Sequence, residues 1–278
     1  MVLKLSAETL KKEIQLIELL KSFKSVMVAF SGGVDSTYLM AIAQEALGQN
    51  CRGIFARGAM ISTQEQRLTL SLAQTYQFPL EIVDINVMEL QEFRDNPPER
   101  CYFCKKKLFK TFLALCRELG YTTLIEGTNA SDAQDYRPGR KALEELKVKS
   151  PLLEVGLTKD EIRALSQRRN LMTWNKPSMA CLASRVPYGD TITLELLSKI
   201  AQAETILFSN GFAECRVRVH GEIARIEIPI QEFLPFVQKH SEIVNSLKML
   251  GFRFVTLDLG GLRSGSLNPN LREELQYE

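Results

Sequence analysis

Apolar residues recur at helical spacing at Leu10, Ile14, Ile17 and Leu20, so residues 6–21 are predicted to form an amphipathic helix packed through that stripe. Residues 25–30, Ser-Val-Met-Val-Ala-Phe, are nearly continuously apolar, the pattern of a strand buried on both faces of a parallel sheet. Further strands are predicted at 51–56, 80–86 and 123–127. Helical patterns lie between them: 37–47, a stretch opened by the capping-box pair Ser62 and Glu65, and 105–119 closed by Gly120. Alternating strand and helix predict an α/β protein with a doubly wound parallel sheet. Another helix starts at a second capping box, Thr158 with Glu161, and runs to about residue 169. Residues 172–190 contain Trp174, Pro177, Pro187 and Gly189 without a clean period, which marks a connector. Beyond it, a helix at 193–210 stopped by Gly211, a hairpin at 215–228 turning at His220-Gly221, a helical stretch and a strand at 253–259 predict a smaller C-terminal α+β lobe. The chain therefore divides at 1–175, 176–190 and 191–278.

With 278 residues, 45% hydrophobic and 24% charged, the composition is that of a globular protein of about two domains. The net charge of +2 is too small for the sequence-independent phosphate attraction of a dedicated nucleic-acid binder, so nucleic acid is not the expected partner. No apolar run reaches the roughly 20 residues that span a bilayer, which predicts no membrane and a cytoplasmic protein. Six cysteines in this length are too sparse for a disulfide framework; the close pair Cys101 and Cys104 reads as metal-binding or catalytic.

Directly after the first strand comes Ser31-Gly32-Gly33-Val34-Asp35-Ser36, then a helix. Adjacent glycines let backbone approach phosphate oxygens, and the helix start adds unpaired N–H groups and the positive end of its dipole. No Lys precedes Ser36, so the loop is not of the Walker type and phosphoryl transfer of the kinase kind loses support. Asp35 beside bound phosphates is a natural Mg²⁺ ligand. The hexapeptide resembles the signature of the PP-loop ATP pyrophosphatases, and Glu126-Gly127-Thr128-Asn129 with Asp132 resembles that superfamily's second nucleotide-contacting strand end. The resemblance implies ATP and Mg²⁺ held by Ser31, Gly32, Gly33, Asp35 and Ser36, with Gly127 and Thr128 opposite, and a PP-loop domain over 1–175.

Cys101-Tyr-Phe-Cys104 precedes three lysines, and the sequence places Cys104 at a helix start, where dipole and cations favour thiolate. A structural zinc site lacks ligands, since the only histidines are His220 and His240. Cys51, Cys116 and Cys215 fall within predicted strands or helices and read as small apolar residues. Cys181 lies in the connector with Arg185 nearby, and Arg216 and Arg218 share one face of an alternating strand, a pattern common to a solvated strand face and to a phosphate clamp.

Together, Arg-Cys-Tyr-Phe-Cys-Lys at 100–105, the connector Lys176-Pro-Ser-Met-Ala-Cys-Leu-Ala-Ser-Arg-Val-Pro-Tyr-Gly189 and the hairpin Cys215-Arg-Val-Arg-Val-His-Gly221 with Ala224-Arg-Ile-Glu227 resemble the LarE family of ATP-dependent sulfur transferases. The likeness covers nearly the whole chain. It implies an enzyme that adenylates the carboxylates of a pyridinium dicarboxylate mononucleotide and converts them to thiocarboxylates, in maturation of the nickel-pincer nucleotide of lactate racemase. It also implies that 176–190 is an active-site connector carrying the catalytic Cys181, that 191–278 is a substrate-binding and oligomerisation lobe of a homo-oligomer, and that Arg185, Arg216 and Arg218 hold the substrate. Some relatives give up the sulfur of one cysteine; others hold a 4Fe-4S cluster by three, here Cys101, Cys104 and Cys181, and the cluster is the favoured expectation. Alternatives are a PP-loop enzyme thiolating tRNA, an ammonia-dependent amide ligase of the NAD or GMP synthetase type, and a non-catalytic ATP-binding regulator.

Overall fold

A computed structural model describes residues 5–134, 138–177 and 180–263. The chain forms two compact units. The first takes in Met1–Gly58, Glu65–Phe93 and Glu99–Met179; the second takes in Ala59–Gln64, Arg94–Pro98 and Ala180–Glu278. Among the described residues no helix is long and apolar enough to cross a membrane.

In chain order the first part runs α1 (Ala7–Ser22), β1 (Val26–Ala29), α2 (Val34–Leu47), β2 (Cys51–Arg57), α3 (Thr63–Thr75), β3 (Leu80–Asp84), α4 (Gln91–Arg94), α5 (Arg100–Glu118), β4 (Thr123–Ile125), α6 (Gly139–Glu145), α7 (Pro151–Glu154) and α8 (Lys159–Arg168). The four strands are parallel in the order β3-β2-β1-β4. Central β1 is buried at Val26, Met27 and Val28, as its unbroken apolar run requires. Strand order reverses between β1 and β4, and in an open α/β sheet that switch point leaves a crevice at the strands' carboxyl ends.

Ser6 caps α1 through its side chain, and Leu10, Ile17 and Leu20 of the predicted stripe pack on the core, with the most deeply buried row lying beside it. Leu16 and Leu20 are buried with Thr9 and Glu13, whereas Ile14 is 57% exposed. Burial of Glu13 is compensated by a hydrogen bond from Tyr38 Oη at 3.1 Å and an ion pair with Arg169 at 2.8 Å. Leu16 and Leu20 join Val26, Val28, Leu39, Ile42, Leu152, Ile162 and Leu165 in the core beneath α2. α5 begins at Arg100, five residues before the predicted start. Pro97 and Pro98 stand between α4 and α5, and the helix forms as soon as they and Glu99 are passed.

The second unit contains α9 (Leu194–Ser209), capped by Thr193, then β5 (Arg216–His220), β6 (Ile223–Glu227), α10 (Phe233–Gln238), α11 (His240–Met249) and β7 (Phe254–Leu257). β5 and β6 form the predicted antiparallel hairpin, with Gly221 at φ +58 in its turn, and β7 adds parallel to β6. A short 3-10 turn, Leu182–Arg185, stands inside the connector.

Candidate active site

The loop between β1 and α2 is held by its own hydroxyls and by residues from distant elements. Ser31 N–H donates to Ser36 Oγ at 3.2 Å, the two serine hydroxyls lie 3.0 Å apart, and Ser36 Oγ donates to Gly33 O at 3.3 Å. Gly32 has φ +70, and a Cβ there would stand 2.6 Å from Thr69 Oγ1, whose hydroxyl donates to Ser31 O at 3.2 Å. Only glycine meets both conditions. Gly33 is the extended N-cap of α2, so the first-turn N–H groups of Val34, Asp35 and Ser36 lack carbonyl partners within the helix. The end of β4 lies directly against this turn: a Cβ on Gly127 would come within 3.2 Å of Asp35 Cβ and Ser36 N. Ser31, Gly32, Gly33, Asp35, Ser36 and Gly127 are thus brought together at the sheet's switch point. Thr128 lies beside them with its hydroxyl turned away, donating to the buried Glu126 carboxylate at 2.8 Å.

Asp35 accepts from Lys159 Nζ at 2.5 Å on one oxygen and from Asn129 Nδ2 at 3.2 Å on the other. Lys159 is the first residue of α8, and the Thr158–Glu161 capping box that fixes its helix start is fully formed. Lys176 donates to Gly32 O at 3.1 Å and to Glu65 at 2.9 Å. The assembly is an anion cradle of backbone amides with two lysines at its rim. One carboxylate, Asp35, fits the need of Mg²⁺, which takes one or two protein carboxylates and completes its shell from substrate phosphates and water.

In the second unit, Cys181 is half-buried at the start of the Leu182–Arg185 turn. The turn is pinned by Leu182 N–H to Met60 O at 3.0 Å and by two buried arginines. Arg185, 1% exposed, pairs with Glu204 through Nε at 2.7 Å and Nη2 at 3.1 Å, and its Nη1 donates to Ala180 O and Ser184 Oγ. Arg218, 2% exposed, pairs with Glu227 at 3.1 and 3.0 Å and donates to Ser184 O. Both guanidinium groups are therefore committed to the loop and the sheet. Arg216 differs: half-buried, it donates to Arg263 O at 3.0 Å, and burial with the neighbouring Arg185 and Arg218 charges depresses its guanidinium pKa. A cation in that setting is stabilised by an arriving anion.

The six cysteines are all thiols, with no disulfide among the described residues. Burial pushes the thiols of Cys51 and Cys215 up to about 12 and that of Cys116 upward. Cys101 is exposed and Cys104 half-buried, one turn apart on α5. Among the described residues no three His, Cys, Asp or Glu side chains form a metal-holding group. Cys101 and Cys104 belong to the first unit and Cys181 to the second. Ser178 and Met179 of the connector lie outside the described residues.

Residues 4–101 match the family model for NAD synthase. Across 261 residues, 94% of this chain and 95% of the relative, the chain is 35% identical to a pyridinium-3,5-bisthiocarboxylic acid mononucleotide synthase of Lactiplantibacillus plantarum. The chain belongs to this synthase family. It is also 41% identical over 244 residues, 87% of its length and 91% of the relative's, to an uncharacterised protein of Synechocystis. Its similarity to an NH(3)-dependent NAD(+) synthetase of Wolinella succinogenes, 33% identical, spans 79 residues, 28% of this chain and 30% of the relative. The synthase-family likeness thus runs through both units, whereas that ligase match is local.

Several residues around this loop had no role there legible in the sequence, where Glu65 read only as part of a helix cap. Thr69 and Glu65 lie 33 and 29 residues beyond Ser36, and Lys159 and Lys176 more than 120. A lysine after a capping box or before a proline looks like any solvated lysine until the fold closes. Glu204 and Glu227 likewise gained a role only as partners of Arg185 and Arg218.

Proposed function

We propose that this chain is an ATP-dependent sulfur transferase that converts the ring carboxylates of a pyridinium dicarboxylate mononucleotide to thiocarboxylates, in maturation of the nickel-pincer nucleotide. The observation that carries the reading is the Ser31–Ser36 cradle, closed by Gly127 and Asp35–Lys159, in a chain similar to such a synthase over both units. Backbone amides of the loop hold the β- and γ-phosphates, with Lys159 and Asp35 beside them. Mg²⁺ on Asp35 supplies charge neutralisation of the triphosphate. A substrate carboxylate oxygen attacks the α-phosphorus, pyrophosphate leaves, and the carboxylate becomes a mixed anhydride with AMP. Carboxylate oxygen is a poor leaving group, and AMP is a good one; that difference is why ATP is consumed.

The Cys181 thiolate then attacks the activated carbonyl carbon, AMP leaves, and a thioester forms. Loss of the Cys181 α-proton and cleavage of its Cβ–S bond release the thiocarboxylate and leave dehydroalanine, with no oxidant or reductant required. Arg216 binds the substrate phosphate, and Arg185 and Arg218 position the loop. The thiols of Cys101, Cys104 and Cys181 suit a 4Fe-4S cluster by ligand chemistry, and such a centre would supply sulfide in place of the Cys181 sulfur. The reading includes a homo-oligomer, which light scattering measures.

The test is pyrophosphate release from ATP·Mg with pyridinium-3,5-dicarboxylic acid mononucleotide, followed by intact-protein mass. Substrate-dependent pyrophosphate release and a loss of H₂S mass are expected of the native chain; Cys181→Ser keeps the first and loses the second. Ammonia-dependent AMP release that survives Cys181→Ser would instead identify an amide ligase. Iron and acid-labile sulfide in protein purified without oxygen, lost in Cys181→Ser, would replace the sacrificial route with a cluster-borne sulfide.

A further inference from the structure

Lys176 belongs to the first unit and stands at the start of the connector. Its ammonium, on a side chain only 17% exposed, bridges the phosphate loop and α3 by donating to Gly32 O and Glu65 Oε2. Its main chain is held from a third direction. Arg163 of α8 donates from Nη1 to Trp174 O at 3.1 Å and from Nη2 to Lys176 O at 3.2 Å. α8 also begins with Lys159, the ion-pair partner of Asp35. One helix therefore touches the cradle at Asp35 and the connector start at Lys176, and the Lys176 side chain returns to the cradle at Gly32.

We infer that Lys176 is a positioning residue that couples occupancy of the phosphate loop to residues 172–177, the segment leading to Cys181. Its charge is balanced by Glu65. A triphosphate in the loop is a stronger partner for a largely desolvated ammonium than a single carboxylate, so the ammonium turns toward the phosphates and carries with it the main chain that Arg163 grips. The inference rests on the ATP-site reading of the loop and on nothing about the sulfur source or the substrate.

The chain's single tryptophan, Trp174, lies two residues before Lys176 and reports the change by its fluorescence. Full-length protein titrated with ATP·Mg alone is expected to show a saturable emission change, matched by calorimetric binding. In Lys176→Met, affinity falls by roughly tenfold, as for loss of one charge-assisted phosphate contact, and the emission change disappears at saturating nucleotide. Lys176→Arg retains both. Glu65→Gln removes the competing carboxylate, so ATP binds several-fold more tightly and raises the unfolding temperature by more than in the native chain. A purely structural ion pair makes the opposite prediction, with Glu65→Gln and Lys176→Met weakening ATP alike, and that result would overturn the inference. So would a native-like emission change and affinity in Lys176→Met. Should that variant not fold, the sign of the Glu65→Gln effect decides. Absence of ATP binding by the native chain overturns the ATP-site reading itself, which is distinct from a lysine effect missing while ATP still binds.

Discussion

Identical thiols acquire different chemistry from their surroundings. Cys51 opens β2 and is sealed in the core against Met40 of α2, and Cys215 sits beside Glu204; burial disfavours their thiolates, and the carboxylate near Cys215 adds to the effect. A thiol near 12 carries about one part in ten thousand of thiolate at pH 8. Brief iodoacetamide treatment at pH 8, read by peptide mass spectrometry, is accordingly expected to modify exposed Cys101 and to leave Cys51 and Cys215 unmodified. Comparable labelling of Cys215 and Cys101 would contradict the burial described. The same contrast bears on which cysteines handle sulfur. The three read from the sequence as small apolar residues are held neutral, and the reactive candidates lie on the surface of α5 and in the connector.

At the scale of elements, the hairpin and the connector turn are fastened by buried charge. Arg218 looks across β5 and β6 to Glu227, which is fully buried and also accepts from Arg225 at 3.3 Å. Two desolvated charges in mutual contact add little net stability compared with an apolar pair, but removing one strands the other. Arg218→Ala should therefore cost about 3–5 kcal/mol in urea unfolding. Arg218→Met with Glu227→Leu should recover much of that loss without restoring sulfur transfer, because Ser184 O loses its donor. A loss below about 1 kcal/mol in the single variant would mean that the pair is solvated. Strands of alternating pattern usually place every second residue in water. Here the register that brings Arg218 beside Arg225 and Glu227 buries it instead.

Across the whole molecule the buried acids of high pKa act together. In the folded state Cys51, Cys215 and Tyr38 are all pushed above their ordinary values, by burial first and, for Tyr38, by the adjoining Glu13. A group whose folded pKa is raised binds its proton more tightly when folded, so its stabilising contribution is complete below the unfolded pKa and is lost as pH climbs toward the folded one. With unfolded thiols near 8.5 and these two near 12, stability should fall steadily through that window. Unfolding temperatures at pH 7.5, 9 and 10.5 are expected to decline in that order, and Cys51→Ala should flatten the decline; a flat profile in the native chain would refute the assignment. This alkaline loss is separate from the nucleotide effects, which depend on the cradle.

Much of the architecture was legible from local patterns because the interactions responsible are local. An apolar strand, two glycines and a helix lie within about twenty residues, so β1, the phosphate loop and α2 could be read together, and likewise the Thr158–Glu161 cap and the hairpin turn at His220-Gly221. Helix boundaries and faces were less legible: Ile14 met the spacing of a core residue, yet Glu13 went inward because Tyr38 and Arg169 came from elsewhere to satisfy it. Only the folded chain decided which charges meet. Asp35 with Lys159, Gly32 with Lys176, and Arg185 with Glu204 are separated by 19 to 144 residues, and only packing of the sheet and helices brings their side chains within hydrogen-bond range. Periodicity records which face of an element avoids water. Partner choice among ionic groups depends on distances and desolvation that exist only after the elements have docked.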